Sequence, residues 1–282
     1  MRRKNIVIIF GLIYLLTVTV MLKDAAAESV SGDNLTAMCL ESSLPCMDLV
    51  ADTGGPAAED EPEAETAGAP QAAETEKKVE TVKKDNGDPR VLIYHTHATE
   101  SYLPSSAGNY HTTKEENTVR QAGDVLENTL EEAGIGVVHD KTIHDNPSYD
   151  QSYSRSFETV KALLEKYPSV ECIIDLHRDA TAAEVAGPVE TVKGKTAAAY
   201  SYVISNTTET YGDNKAFLNR LNSIAASEFD GYTGKILERP YWYNQELSGK
   251  SILIEMGNNR NNIKEVLQCA EIYGQILSKA LN

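Results

Sequence analysis

Cysteine is scarce in this sequence, with four residues among 282. No CxxC pair or Cys/His cluster is present, which excludes a structural metal site of the zinc-finger kind. No lysine- or arginine-rich stretch is large enough to displace counterions from phosphates, and with a pI near 4.8 nucleic acid is excluded as a partner. No GxSxG elbow exists, so neither Ser101 nor Ser156 has the setting of a serine-hydrolase nucleophile. Repeats are absent, and the pattern fits neither collagen, nor coiled coil, nor a multi-span membrane protein.

What is present is unevenly spread. The formal charge is -16. Residues 51–88 hold 4 basic and 11 acidic groups with almost no large apolar side chain, whereas residues 89–282 hold 18 basic and 26 acidic groups. About half the charge therefore belongs to one segment long enough to bury a sizeable core.

Ahead of both, Arg2, Arg3 and Lys4 precede an uncharged run from Asn5 to Leu22, closed by Lys23 and Asp24. At roughly 1.5 Å per residue that run nearly matches a hydrocarbon core of about 30 Å. Residues 1–23 are thus expected to be a cytoplasmic stub and retained membrane anchor, although Ala25 to Ala27 would also suit a signal peptidase. The positive cluster faces the cytoplasm and everything after Asp24 is exported. Residues 24–88 are expected to be a disordered acidic linker with an r.m.s. reach of roughly 45 Å. Cys39 and Cys46 lie there, where a disulfide can persist; Cys172 and Cys269 fall in apolar patterns and read as buried hydrophobes.

Residues 89–282 alternate strands with helices. Arg90 to His95, GIGVVH ending at His139, VECIIDLH, AAAYSYVIS and SILIEMG read as strands. Thr113 to Glu132, Ser154 to Tyr167, a stretch through Phe217, Leu221 and Ala225, and Ile263 to Leu281 read as helices. Thr113 and Glu116 fit a capping box for the first, and Gly134 fits its stop. The expected fold is α/β: a three-layer open sheet, mostly parallel, with helices on both faces.

Three apolar strands end in polar residues, and in open α/β sheets sites form beyond the carboxyl ends of strands. His97, His177 and Glu255 are therefore expected to converge. His97 and Glu100 are spaced HxxE, so one short loop offers an imidazole and a carboxylate to one cation; adding His177 makes the His₂Glu set of catalytic zinc sites. Glu115 or Glu116 are alternative carboxylate ligands. Glu255 reads as the acid/base group that moves a proton from attacking water to the leaving amine. His95 reads as a supporting or core residue, and His111, His139 and His144 as surface histidines. Arg178 is a candidate for a substrate carboxylate and Asp179 for orienting a ligating histidine.

YHTHATESYLP (Tyr94 to Pro104), GIGVVHDKT with the following SYSRS, DLHRDAT (Asp175 to Thr181), YNQELS (Tyr243 to Ser248) and LIEMGNNRNN (Leu253 to Asn262) resemble, in this order, the stage II sporulation protein P family. The resemblance spans essentially all of 89–282. It implies a membrane-anchored peptidoglycan hydrolase with a zinc amidase- or carboxypeptidase-like sheet. The implied reaction is cleavage of the amide between N-acetylmuramic acid and L-alanine, with endopeptidase action on stem-peptide crosslinks, during forespore engulfment. Stage II sporulation proteins D and M are the implied partners, and Zn²⁺ the implied cofactor. The wider zinc amidase family places His97 and Glu255 at its first histidine and catalytic glutamate, and its carboxylate ligand near Glu115; the HxxE spacing instead resembles zinc carboxypeptidases. Asn244 and Gln245 match the family's YNQ and become candidate substrate contacts, while Glu246 departs from its usual aspartate. A net charge near -8 on the domain gives no attraction to anionic wall polymers, so the tether is expected to substitute for a wall-affinity module.

Overall fold

The structure is a computed structural model that describes residues 87–105 and 110–282. The expected anchor, the two early cysteines and nearly all of the expected linker lie outside the described residues. Among the described residues no helix is long and apolar enough to cross a membrane.

The chain runs β1 (Val91–Tyr94), α1 (Val119–Glu132), β2 (Val137–His139), α2 (Ser152–Lys166), β3 (Cys172–Asp179), a hairpin of β4 (Val189–Val192) and β5 (Lys195–Ala198), β6 (Tyr200–Ser205), α3 (Tyr211–Glu228), β7 (Lys235–Arg239), a single 3-10 turn (Gln245–Leu247), β8 (Ser251–Asn258) and α4 (Ile263–Leu281). Six strands form one sheet in the order β2-β1-β3-β8-β6-β7. Every neighbouring pair is parallel except β6 against β8, which is antiparallel. The mostly parallel expectation therefore holds, with a reversal at the β8/β6 junction.

The period-2 alternation of each strand sorts its side chains to two faces. Val91, Ile93, Ile174, Leu176, Ile252, Ile254 and Met256 share one core with α1, α3 and α4. On the opposite face Leu92, Tyr94 and Ile173 pack with Val160 of α2. The sheet is thus covered on both faces, with one helix on the second.

Two local expectations change. The helix begins at Val119, not Thr113, and Thr118 is its N-cap. Arg120 explains the difference, because its Nη2 donates to the carbonyls of Thr112, Thr113 and Lys114 and fixes those residues as a loop. The capping box that forms belongs instead to α4, between Asn262 and Glu265. Strand β7 and the β4–β5 hairpin were not expected, since their residues are mostly exposed and lack an apolar run. Cys172 and Cys269 are buried free thiols as expected, and burial pushes both up to about 12.

Candidate metal and acid/base centre

Strand β1 stops at Tyr94 and the chain turns through a buried polar loop from His95 to Ser101. His97 and Glu100 sit on this loop; His177 is near the end of β3. Their ligand atoms lie within 4.8 Å of one another and all three residues are buried. Glu100 Oε1 is 3.5 Å from His97 Nδ1, and Glu100 Oε2 is 3.5 Å from His177 Nδ1. Both distances exceed the usual N–H···O length. They suit donors around one tetrahedral zinc, whose bonds of about 2.0–2.1 Å place neighbouring ligand atoms about 3.4 Å apart. The donor set and its spacing therefore fit zinc.

His177 is backed by Asp175, whose Oδ1 lies 2.8 Å from His177 Nε2. Asp175 is itself fixed by Thr96, whose backbone N–H donates at 2.8 Å and whose hydroxyl donates at 2.6 Å. A carboxylate behind a ligating imidazole sets its tautomer and raises its basicity. Burial opposes a charged imidazole at His177, but the carboxylates of Asp175 and Glu100 outweigh it and hold the ring well above its ordinary value. Glu100 shows the converse balance: burial would raise it, yet Arg178 and the two histidines hold it well below the usual carboxylate range.

Arg178 is a positioning residue in this arrangement. Its backbone N–H donates to Glu100 Oε2 at 2.9 Å, and its guanidinium donates to the carbonyls of Ser101 and Tyr110. With those donors spent and the residue buried, it pins the loop rather than reaching for a substrate carboxylate. Asp179, at the strand end, accepts from Ala180 N–H and does not touch His177; Asp175 occupies the orienting place the sequence reading gave to Asp179. Asp175 is legible in hindsight, because residues two apart on a strand share a face.

Glu255 of β8 pairs in register with His177 of β3, on the same face of adjacent strands. Its Oε2 is buried without a hydrogen-bond partner. Burial pushes its carboxyl up to about 8 against the pull of His177, with Glu100 and Asp179 adding to the rise. The structure thus brings together His97, Glu100, His177 and Glu255 from three strand ends. Glu115 and Glu116 are exposed in the loop before α1, and Glu115 pairs with Lys141 Nζ at 2.6 Å. Neither joins the cluster.

Two tyrosines that the sequence reading did not single out wall the centre. Tyr149 stacks on His97 with centroids 4.1 Å apart, its hydroxyl 3.2 Å from His97 Nδ1. Tyr153 of α2 lies edge-on to His97 and parallel to His177. Tyr153 lies within the SYSRS stretch and Tyr149 three residues before it, a signal that carried no role by itself. Asn244 and Gln245 serve the fold. Asn244 Nδ2 donates to Ser156 Oγ at 2.9 Å, and the Gln245 side chain accepts from Ser205 N–H and donates to Val203 O. Both are buried, so they clasp the turn to α2 and β6 instead of contacting substrate. The turn is strained, with Tyr243 and Asn244 both in the left-handed region at φ 53° and 56°. Such positions cost about 1–3 kcal/mol each and persist where the surroundings fix them.

The remaining histidines are mostly internal. His144 is buried, with Nδ1 2.8 Å from His95 O and Nε2 3.0 Å from Thr159 Oγ1. His95 Nδ1 lies 2.9 Å from Leu176 O, an acceptor, so that nitrogen carries the proton and Nε2 accepts. Its donor is His139 Nε2 at 2.9 Å. His139 Nδ1 in turn faces Asp124 Oδ1 at 3.2 Å and Glu127 Oε2 at 3.5 Å. Both carboxylates favour the charged form of that ring. Consistently, burial and the neighbouring charge push His95 well down, while at His139 the two carboxylates overcome burial and raise it. Only His111 is exposed as expected, bonded to Thr99 Oγ1.

A His₂Glu cluster with an unpaired glutamate, set beyond the carboxyl ends of a mostly parallel sheet, defines an α/β protein with a candidate metallohydrolase centre. The family model of Stage II sporulation protein P (SpoIIP) matches residues 18–278, and the chain belongs to that family. It is 28% identical over 212 residues to Stage II sporulation protein P of Bacillus subtilis (strain 168), covering 70% of this chain and 52% of that protein. The chain thus spans about half the length of the curated relative it matches. Among solved structures it is similar to the catalytic domain of CwlV, an N-acetylmuramoyl-L-alanine amidase from Bacillus (Paenibacillus) polymyxa var. colistinus. There the identity is 14%, the coverage 69% of this chain and 99% of that one, and the TM-score 0.44. It is also similar to the CwlD amidase from Clostridioides difficile, solved with the GerS lipoprotein, at 12% identity, 68% and 98% coverage and a TM-score of 0.45.

Proposed function

We propose that this chain is a peptidoglycan hydrolase of sporulation that cleaves the amide between N-acetylmuramic acid and L-alanine, with zinc held by His97, Glu100 and His177. The observation that carries the reading is the convergence of two imidazoles, one carboxylate and the unpaired Glu255 carboxyl at one point. Zinc bound there supplies a Lewis acid that polarises the scissile carbonyl and makes water ionisable near neutral pH. Asp175 and Thr96 fix His177, and Arg178 fixes Glu100, so the donor set is preorganised. Glu255 Oε2, with no bond to the protein, is the atom that accepts a proton from attacking water and returns it to the leaving amine. Tyr149 and Tyr153 shield the histidines from bulk water.

In the same reading residues 1–23 anchor the chain in the septal and engulfing membrane, residues 24–88 tether it, and the catalytic domain works outside the cytoplasm beside stage II sporulation proteins D and M. Cleavage of stem-peptide crosslinks is the second reading, favoured by Glu100 in HxxE spacing being the carboxylate beside both histidines.

The test is release of soluble fragments from purified sacculi. His177→Ala is expected to lose both bound zinc and activity, whereas Glu255→Gln keeps zinc near one equivalent and loses activity. Free stem peptides among the products mark the amidase, and cut crosslinks with muramoyl-peptides intact mark the endopeptidase. Wild-type turnover in either variant overturns the assignment.

A further inference from the structure

Trp242 is the one tryptophan of the chain and is 64% exposed; its neighbour Tyr241 is 49% exposed. Large apolar side chains held in water call for a reason when they adjoin a site. These two stand on the turn after β7, whose strained backbone at Tyr243 and Asn244 is locked by the buried amide contacts described above. Gln245 N–H also donates to Trp242 O at 3.0 Å, so the tryptophan backbone is fixed. The rings continue inward: Tyr241 meets Tyr243 at 6.0 Å between centroids, Tyr243 meets Tyr153 at 5.7 Å, and Tyr153 lies 6.5 Å from the His177 ring. An aromatic path thus joins Tyr241, the chain neighbour of Trp242, to the candidate metal centre.

We infer that Tyr241 and Trp242 form a stacking platform for an uncharged sugar ring of the glycan strand, next to the scissile linkage. The inference rests on the proposed wall-hydrolase reading and adds which part of the substrate is gripped there. Amphipathic aromatic faces suit the C–H face of an N-acetylhexosamine. Residues 89–282 hold 26 acidic against 18 basic groups, a balance that gives carboxylate-bearing stem peptides no long-range attraction to the domain. A rigid, strained mount keeps the entropy cost of presenting the two rings low.

Because Trp242 is the sole tryptophan, its fluorescence reports on this spot alone. The full chain is titrated, without added metal, with a β-1,4-linked N-acetylglucosamine tetrasaccharide and, separately, with a free stem pentapeptide. A saturable emission change with the saccharide and none with the peptide is expected. On sacculi, Trp242→Ala and Tyr241→Ala are each expected to raise KM about 3- to 10-fold with kcat little changed, and Trp242→Phe to recover most of the loss. A response to the peptide alone, a response to protein concentration that marks self-association, or an unchanged KM overturns the platform. Saccharide binding by a chain that does not hydrolyse sacculi would instead fault the hydrolase reading and leave the platform standing.

Discussion

Two groups in this molecule each bring three possible metal donors together, but they differ in make-up and burial. His97, Glu100 and His177 form one; Asp124, Glu127 and His139 form the other, and in each the ligand atoms lie within 4.8 Å of one another. In the second, a lysine supplies positive charge: Lys141 Nζ lies 2.6 Å from Asp124 Oδ1 and 2.6 Å from Glu115 Oε1. In the first, no lysine enters, and Arg178 approaches from behind Glu100. The first set offers two buried imidazoles and one carboxylate, the second one imidazole and two half-buried carboxylates. What further separates them is the lysine that bridges the second set and is missing from the first.

The sharpest way to break this comparison is Asp175→Asn, which leaves all three donors of the first group in place but removes the charge behind His177. Zinc affinity is expected to fall about 10- to 100-fold, read by competition with a chromophoric chelator. The matching change in the second group, Asp124→Asn, is expected to leave zinc affinity unchanged; a comparable loss there would erase the distinction.

Next comes packing beneath the second group. A Cβ on Gly123 would lie 2.5 Å from both Cε1 and Nε2 of His139. That ring is held between His95 and two carboxylates, so Gly123→Ala is expected to destabilise by about 1–3 kcal/mol in urea unfolding. An unaltered midpoint would mean that His139 is free to move.

Smaller is the effect of Lys141→Ala. Its ammonium is partly exposed and bridges two surface carboxylates, so the expected loss is below about 1 kcal/mol, shrinking with added salt. Zinc content should not change; a second equivalent would show that the lysine was displacing an ion.

The slightest effect is a slope with pH. His139 is raised in the folded state, so its contribution is complete below its unfolded value near 6.5 and is lost as pH rises through the higher folded value. Asp124 is depressed by His139 and Lys141 despite burial, so its contribution is present above about 3.8 and is lost on acidification. Relative to His139→Gln, wild-type stability should therefore exceed the variant by a constant margin near pH 5–6 and lose that margin in more alkaline buffer, as thermal melts across pH would record.

Much of this was readable beforehand. Strands β1, β3 and β8 announce themselves as apolar runs ending in His or Glu, because strands covered on both faces cannot alternate. Helix α4 matched its expected bounds residue for residue through its apolar stripe. Where Thr113 and Glu116 mimic a capping box, Arg120 overrules them through three carbonyls that no local pattern foretells. His139 and His144 sit in polar sequence yet are internal, because their partners, Asp124, Glu127 and Thr159, come from other elements.

The sequence by itself determined the alternation of strands and helices, the position of His97, His177 and Glu255 at strand ends, and the HxxE spacing, since each follows from local periodicity. Only the tertiary structure decided that Glu100 rather than Glu115 or Glu116 faces both histidines, and that Tyr149 and Tyr153 close over them. Those choices depend on contacts between residues far apart in the chain, fixed by strand register and by Arg178 pinning the loop. Local chemistry can nominate donors for a site, but the charges brought in from elsewhere distinguish one group of them from another.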